Sequence, residues 1–570
     1  LGTVRYTFAE PLVRYSALEP KAVGFVDDLL RGSALLPLAQ VASALAQDAA
    51  NLAGLTHVVF GSRVGGLVGL NPGAAVGRLR LVGEEELTGR APLRDDEIVV
   101  LPRTVTELTP VAGIITLAEG SVLSHVQLLA RNLGIPNVVA TPNLAPRMAP
   151  FHGLEVVLAV GSDGSVVLER LDRLPEAARA RLRQASEPDS GVPAAKLEVP
   201  APDLGLRRPL RLSELHAGLS GKVVGPKAAN VGELARQFPG RVAPAVALPF
   251  GIFAEHAAAG PEAPKARIDR ACERYREGDI DDTTLATEIE TARLAIADLT
   301  LSDATREQLL ALMSEVFGPP GTYGVFVRSD TNLEDLPGFT GAGLNKTVPH
   351  VVDLDKILDA IPDVWSSPFT FRAVAWRERT LTRPGDVYPS VLLMQSVPVA
   401  KSGVLVTADL VSGAKGLTVA TAWGVGGAVE GESAETLVLH PEGSYSLVAE
   451  AKAPYARRLR PEGGVEWIPA QAGPVLTEAE QRALGALATD ARARLEPVPG
   501  TDGSPLPWDI EFGFLNGRLY LFQVRPLVER GGSRADEMIQ ALGAAPRGSV
   551  GRVPLDAAVG SRVAAGALGR

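Results

Sequence analysis

The stretch from Gly113 to Thr141, GIITLAEGSVLSHVQLLARNLGIPNVVAT, constrains the fold of this chain more than any other. Its apolar opening, Gly113–Leu117, reads as a buried strand. A short loop carrying Glu119 and Gly120 follows, then a helix of about ten residues, then a second apolar strand. Ser124 at the N-cap and Gln127 three residues on have the spacing of a capping box. Gly134 and Pro136 supply the stop. This order predicts a compact α/β unit and puts His125 on the first helical turn. There the unpaired N–H groups and the helix dipole favour an anion and disfavour an imidazolium. A neutral imidazole is a nucleophile, and a phosphate attached to it would be held by the helix end. The residue alone does not separate that role from an ordinary capping or surface histidine.

The surrounding pattern does. GSVLSHVQLLARNLGIPNVVAT resembles the mobile phosphohistidine domain shared by phosphoenolpyruvate synthase, pyruvate phosphate dikinase and glucan water dikinase. The resemblance rests on Gly120, Ser124, His125, Ala130, Arg131, Gly134, Ile135 and Pro136. It implies that His125 carries the phosphoryl group and that Ser124 steadies it. Glu119-Gly120 stands where the family commonly has Gly-Gly. The variant Leu-Ser-His-Val with Ala-Arg-Asn is nearer to the glucan water dikinases.

At 570 residues two to four domains are expected. A net charge of −10 argues against nucleic acid or an anionic membrane as the main partner. No apolar run reaches membrane-spanning length. The opening LGTVRYTFAE lacks a signal-peptide pattern. The chain does not begin with Met, which fits processing or membership in a longer polypeptide. A single cysteine, Cys272, excludes an internal disulfide and fits a reducing, cytoplasmic compartment. Its setting, ARIDRACERYREGD, reads as a charged helix, so a half-buried helix residue is expected rather than a catalytic thiol.

Five segments are expected. Residues 1–62 carry apolar residues at helical spacing. Residues 63–171 alternate strands with one clear helix, a swivelling α/β domain. Residues 172–209 are rich in Pro, Ala and charge, and read as a linker with one short helix, an ordered wrap-around segment being the alternative. At ~3.3 Å per residue such a linker would reach on the order of 100 Å when extended, enough to carry a phosphoryl group between sites. Residues 210–530 form a larger α/β region, and 531–570 a Gly/Ala-rich tail.

Four patches in the larger region suit nucleotide and metal. In GKVVGPKAANVGELAR a Gly225 turn precedes Lys227 and a helix, so the lysine can reach phosphate oxygens. In VFVRSDTNLEDLPGFTGAGLNKTVP, Arg328 ends a strand and offers a fork to phosphates; Glu334, Asp335 and a Gly loop follow. In SVLLMQSVPVAKSGVLVTADL the strand Leu392–Val397 runs into a connector. Met394, Gln395 and Val397 there suit an adenine wall, although a plain core strand reads alike. In WDIEFGFLNGRLYLFQVRPL two strands join at Asn516-Gly517. Alternation puts Asp509 and Glu511 on one strand face and Gln523 and Arg525 on its partner's. Hard oxygen ligands suit Mg²⁺; a cross-strand ion pair on a solvated hairpin is the plainer reading.

In order, these patches resemble the ATP-grasp domain of the same dikinases over about 215–527. The resemblance implies that Lys227 and Arg328 contact phosphates. It implies that Asp509, Glu511, Gln523 and Arg525 hold metal and the distal phosphates, with Glu511 and Gln523 as metal ligands. Trp508 stands where the family often has Gln. The loop Thr340-Gly341-Ala342-Gly343-Leu344 looks like that of glucan water dikinases, as does the order of histidine domain before ATP domain. After Leu527 no room is seen for a pyruvate-binding barrel.

The expectation is an α/β multidomain dikinase that uses ATP and Mg²⁺. It would pass the β-phosphoryl group through His125 to an acceptor and release AMP and phosphate. A glucan-like acceptor is favoured. Pyruvate through a module outside this chain, a drug or metabolite, and a non-catalytic regulator are the alternatives. A homodimer is compatible with these roles.

Overall fold

A computed structural model describes residues 57–83, 93–94, 96–102, 111–117, 130, 135–161, 164–174, 176, 179, 198–199, 201–260, 262–334, 346–410, 415–429, 433–500, 503–527 and 539, with scattered positions from 8 to 45. The segment with Ser124 and His125 and the Gly loop after Glu334 lie outside the described residues.

The first α/β unit is a nine-stranded mixed sheet. Its strands are β1 (His57–Val59), β2 (Ser62–Arg63), β3 (Leu67–Asn71), β4 (Gly73–Leu81), β5 (Glu97–Leu101), β6 (Gly113–Thr116), β7 (Asn137–Ala140), β8 (Glu155–Val160) and β9 (Val166–Arg170). The order is β2-β1-β9-β8-β4-β5-β6-β7-β3, and β4 to β7 run parallel. The apolar runs EIVVL and GIIT are buried at every position, as central parallel strands covered on both faces must be. Ile98, Val100 and Ile115 pack with Leu158 and Val160 in one cluster, while Val99, Leu101 and Ile114 join another. At the end of the unit Asn71 donates to the carbonyls of Ala130 (3.1 Å) and Ile135 (2.6 Å), tying β3 to both flanks of the Gly134 stop.

Two boundaries differ from the sequence reading. The strand His57–Val59 lies within the stretch 1–62 read as helical, and it pairs parallel with β9. Three residues are too few for periodicity to register, and the strand is held between β9 and β2. The stretch 172–209 is anchored at both ends. Leu171 and Leu174 pack on Val157. Val199 is 1% exposed, and its carbonyl accepts from Arg383 at 2.7 Å. The Asp203 amide donates to Lys222 O at 2.7 Å. A few apolar residues dock the described ends of this polar run, a detail that average composition hides.

The larger region has two large sheets and a separate two-stranded one. One is antiparallel, in the order β10 (Leu210–Arg211), β11 (Ala245–Leu248), β14 (Pro389–Gln395), β12 (Val325–Thr331), β13 (Thr347–Val351). Around it lie helices α1 (Pro226–Gln237), α2 (Phe250–Ala257), α3 (Pro264–Glu277), α4 (Asp282–Ala297), α5 (Asp303–Phe317), α6 (Leu354–Ser366) and α7 (Phe371–Thr380). Phe253, Trp365 and Phe369 form the aromatic centre of its core, with ring centroids 5.7 and 5.9 Å from Phe253. Cys272 is buried in that core, and burial pushes its thiol up to about 12. It is a packing residue, more enclosed than its charged helix suggests.

The other sheet is six-stranded, in the order β18 (Tyr445–Ala449), β17 (Glu435–Leu439), β16 (Leu417–Trp423), β15 (Lys401–Val406), β21 (Trp508–Leu515), β22 (Arg518–Pro526). The helix α8 (Glu478–Arg494) covers one face through Leu484, Leu487 and Ala491, against Leu405, Ile510 and Phe512. Asp509 and Glu511 alternate with Ile510 and Phe512, so they occupy the opposite face. A hairpin of β19 (Tyr455–Leu459) and β20 (Val465–Pro469) bonds to both sheets. Gly464 N–H donates to His350 O at 2.8 Å, and Val425 N–H to Arg457 O at 3.0 Å. Among the described residues no helix is long and apolar enough to cross a membrane.

Candidate nucleotide cleft

The two sheets meet where β12 faces the β21–β22 hairpin. Along β12, Val325 and Val327 are buried in the helical core, and the alternate side chain, Arg328, leaves on the other face. Its guanidinium spans to the second sheet. Nη1 donates to Phe522 O at 2.9 Å and Nη2 to Gln523 Oε1 at 2.8 Å; Glu511 Oε2 lies 3.4 Å from Nη2. The β21–β22 turn uses Asn516 (φ 51°) and Gly517 (φ 75°), the backbone expected for Asn-Gly. The register then pairs Asp509 with Arg525 and Glu511 with Gln523. Between Glu511 and Phe512 the register shifts, leaving Phe522 as an extra residue. That bulge is the residue whose carbonyl meets Arg328, an example of a bulge redirecting one backbone group.

The four hairpin residues anticipated from the sequence therefore fall into two units. Glu511 and Gln523 gather around Arg328. Asp509 and Arg525 form a buried ion pair of their own, Nε to Oδ2 at 2.8 Å, with side chains 2% and 9% exposed. Their carboxylate and guanidinium offset each other's charge next to Glu511 and Gln523 on the same strands.

Lys227 approaches from α1. Its Nζ lies 2.5 Å from Glu334 Oε2 and donates to Ser329 O at 3.0 Å. Glu334 is 6% exposed. Lys227 comes from a helix, Arg328 from a strand and Glu334 from the turn that follows that strand. Asn230, one turn along α1, donates to Val524 O at 3.0 Å and ties the lysine-bearing helix to the strand carrying Gln523 and Arg525. The fold also brings in a residue that the sequence patterning does not single out. Asp330, 0% exposed, accepts from the Lys227 and Ala228 amides, each at 2.9 Å. A strand-to-helix bond over 103 residues has no local signature.

Met394, Gln395 and Val397 line the passage from the first sheet to the second. Met394 is 3% exposed, with Sδ 3.9 Å from Arg328 Nη1. The Gln395 amide donates to Pro244 O at 2.9 Å. Val399 N–H turns back to Val397 O at 2.8 Å before β15 begins. Met394 is mostly core. Ser396 Oγ on the same connector is buried, with no partner among the described residues.

Half-buried Glu511 and buried Gln523 bring one carboxylate and one amide oxygen beside Arg328. The described residues contain no cluster of three or more His, Cys, Asp or Glu able to hold a metal. Two oxygens fit Mg²⁺, an ion that takes its remaining ligands from phosphates and water.

Two lobes that close on a cluster of Lys, Arg, Glu and Gln define an ATP-grasp type of nucleotide-binding protein. Residues 221–543 match the pyruvate phosphate dikinase AMP/ATP-binding domain, and residues 93–154 match the PEP-utilising enzyme mobile domain. The chain belongs to the pyruvate phosphate dikinase family, the phosphohistidine dikinases. It is similar to phosphoenolpyruvate synthase of Pyrococcus furiosus, 27% identical over 336 residues, which is 53% of this chain and 40% of that one. It is also similar to rifampicin phosphotransferase of a Streptomyces species, 30% identical over 315 residues, 53% of this chain and 34% of that one. The corresponding Bacillus subtilis protein is 30% identical over 220 residues, 37% of this chain and 24% of that one. The matched part is thus well under half the length of each of these relatives.

Proposed function

We propose that this chain charges a histidine with phosphate from ATP. The observation that carries the reading is the meeting of Arg328 with Glu511 and Gln523 across the two sheets, in a chain whose other matched domain contains His125. ATP would bind between the lobes, with Lys227 and Arg328 on its phosphates and the Gln395–Val397 connector along the base. The buried Ser396 hydroxyl supports that placement, since it has a bond to give. Glu511 and Gln523 would hold Mg²⁺, which draws charge from the phosphates when bound. The unprotonated ring nitrogen of His125 forms an N–P bond to the β-phosphorus as the bond from that phosphorus to the AMP oxygen breaks. Water attacks the γ-phosphorus as its bond to the β–γ bridging oxygen breaks, so orthophosphate leaves and the β-phosphoryl group stays on the histidine. Arg328 and Lys227 offset the charge that moves onto the leaving oxygens, the larger part of such catalysis.

The acceptor we favour is glucan-like, on the Leu-Ser-His-Val and Ala-Gly-Ala-Gly-Leu type motifs and on the order of the two domains. Pyruvate and a rifamycin-type drug are the competing acceptors, because relatives are named for them. The acidic chain with one buried thiol suits a reducing cytoplasmic compartment. Incubation with ATP labelled at the β position tests the charging step. Acid-labile, base-stable label on wild type and none on His125→Ala is the expected result. Absence of both label and AMP from wild type under all conditions sinks the reading and leaves a non-catalytic regulator. Discharge of labelled protein onto glucan, pyruvate, rifampicin or water then identifies the acceptor.

A further inference from the structure

We infer that Asp330 is the positioning residue for the phosphate-binding lysine, an inference that rests on the nucleotide reading above. The helix α1 has no cap of its own. Its N-cap is Gly225, which has no side chain, and Pro226 follows. The N–H groups of Lys227 and Ala228 are therefore orphan donors at the positive end of a helix, where a phosphate commonly binds. Here a buried carboxylate from another element takes both. Asp330 Oδ1 accepts from Lys227 and Oδ2 from Ala228, each at 2.9 Å. Ser390, opposite Asp330 on β14, donates from Oγ to Asp330 O at 3.0 Å and lies 3.3 Å from Oδ2. The same Ser390 Oγ accepts from Gly225 N–H at 3.0 Å, closing the network.

The fit explains Gly225. Its φ of −74° is open to any residue, so backbone freedom is not the reason. A Cβ there would fall inside the Asp330 carboxylate. Glycine is needed for the close approach of helix and strand. Asp330 also sits two residues beyond Arg328 on β12, hence on the same strand face. One strand thus carries the guanidinium and fixes the backbone of the lysine beside it. With the helix end filled by a carboxylate, phosphate is kept off the backbone donors and left to the Lys227 and Arg328 side chains.

A double-mutant cycle on the full chain tests this, with MgATP affinity from calorimetry as the readout. Asp330→Asn keeps one acceptor oxygen but turns an NH₂ toward the helix donors. It is expected to weaken MgATP binding by about tenfold in the wild-type background and by about twofold or less in a Lys227→Ala background. Equal losses in both backgrounds would show a general structural role and overturn the inference, as would no loss in either. Thermal melts check folding. If Asp330→Asn does not fold, Ser390→Ala enters the same cycle under the same criteria. The two readings fail separately. Wild type that does not bind MgATP overturns the nucleotide reading and this inference with it. Wild type that binds, with additive losses, overturns this inference alone.

Discussion

Arg328 illustrates how one side chain acquires a task from its surroundings. Its guanidinium has acceptors from Phe522, Gln523 and Glu511, three groups on the opposite lobe. The planar fork meets all three together, and an ammonium cannot. Arg328→Ala and Arg328→Lys are both expected to weaken MgATP binding by roughly tenfold or more, since each loses a charge-assisted pair. Titration calorimetry checks this, and retention of wild-type affinity by the lysine variant contradicts the fork argument. Arg525 carries a different expectation. Its partner Asp509 is almost fully enclosed. Arg525→Met should lower stability by about 3–5 kcal/mol, because it takes the guanidinium away from a buried carboxylate. Adding Asp509→Leu should restore most of that loss in urea unfolding. No recovery in the double variant would mean that Arg525 stabilises the fold through something other than this pair.

Among the elements, the β21–β22 hairpin was the most legible. Asn-Gly named its turn, and alternation named the face shared by Asp509, Glu511, Gln523 and Arg525. The bulge at Phe522 was not legible, because it answers to a carbonyl that Arg328 needs from a distant strand. The β19–β20 hairpin offers a pH test. His350 holds a positive φ of 47° in β13, and its Nε2 lies 2.9 Å from Arg460 O. That contact requires Nε2 to carry a proton, so in the neutral ring Nδ1 is the bare nitrogen, and it is buried with no partner among the described residues. Burial lowers the His350 pKa below its ordinary 6.5. The folded protein therefore resists a proton that the unfolded chain takes up. The contribution is full above about pH 6.5 and is lost as pH falls toward the lowered folded value. Unfolding free energy should drop with acid across that window more steeply for wild type than for His350→Asn. Parallel curves for the two proteins would remove the histidine from the explanation.

Across the whole molecule, charging and nucleotide binding should come apart. His125→Ala should bind MgATP as wild type does, with the same rise in melting temperature. At 100 times the dissociation constant that rise corresponds to about 2.7 kcal/mol. The variant should nevertheless take no label from β-labelled ATP. Loss of the thermal shift in His125→Ala would mean that the histidine serves the nucleotide pocket itself, contrary to the carrier role.

Much of this molecule is written locally: the apolar strand before His125, the Asn516-Gly517 turn, the strand carrying Arg328 and the paired faces of the last hairpin. These follow from residue periods of two and 3.6 and from turn chemistry, which act between neighbours. What waited for the three-dimensional arrangement was pairing over distance. His57–Val59 became a strand between β9 and β2, and Asp330 capped a helix 103 residues away. Arg328 found acceptors 183 to 195 positions on, and Asp509 was claimed by Arg525. Contacts between remote segments form only once both are packed, when burial makes each unpaired donor or charge costly enough to select its partner.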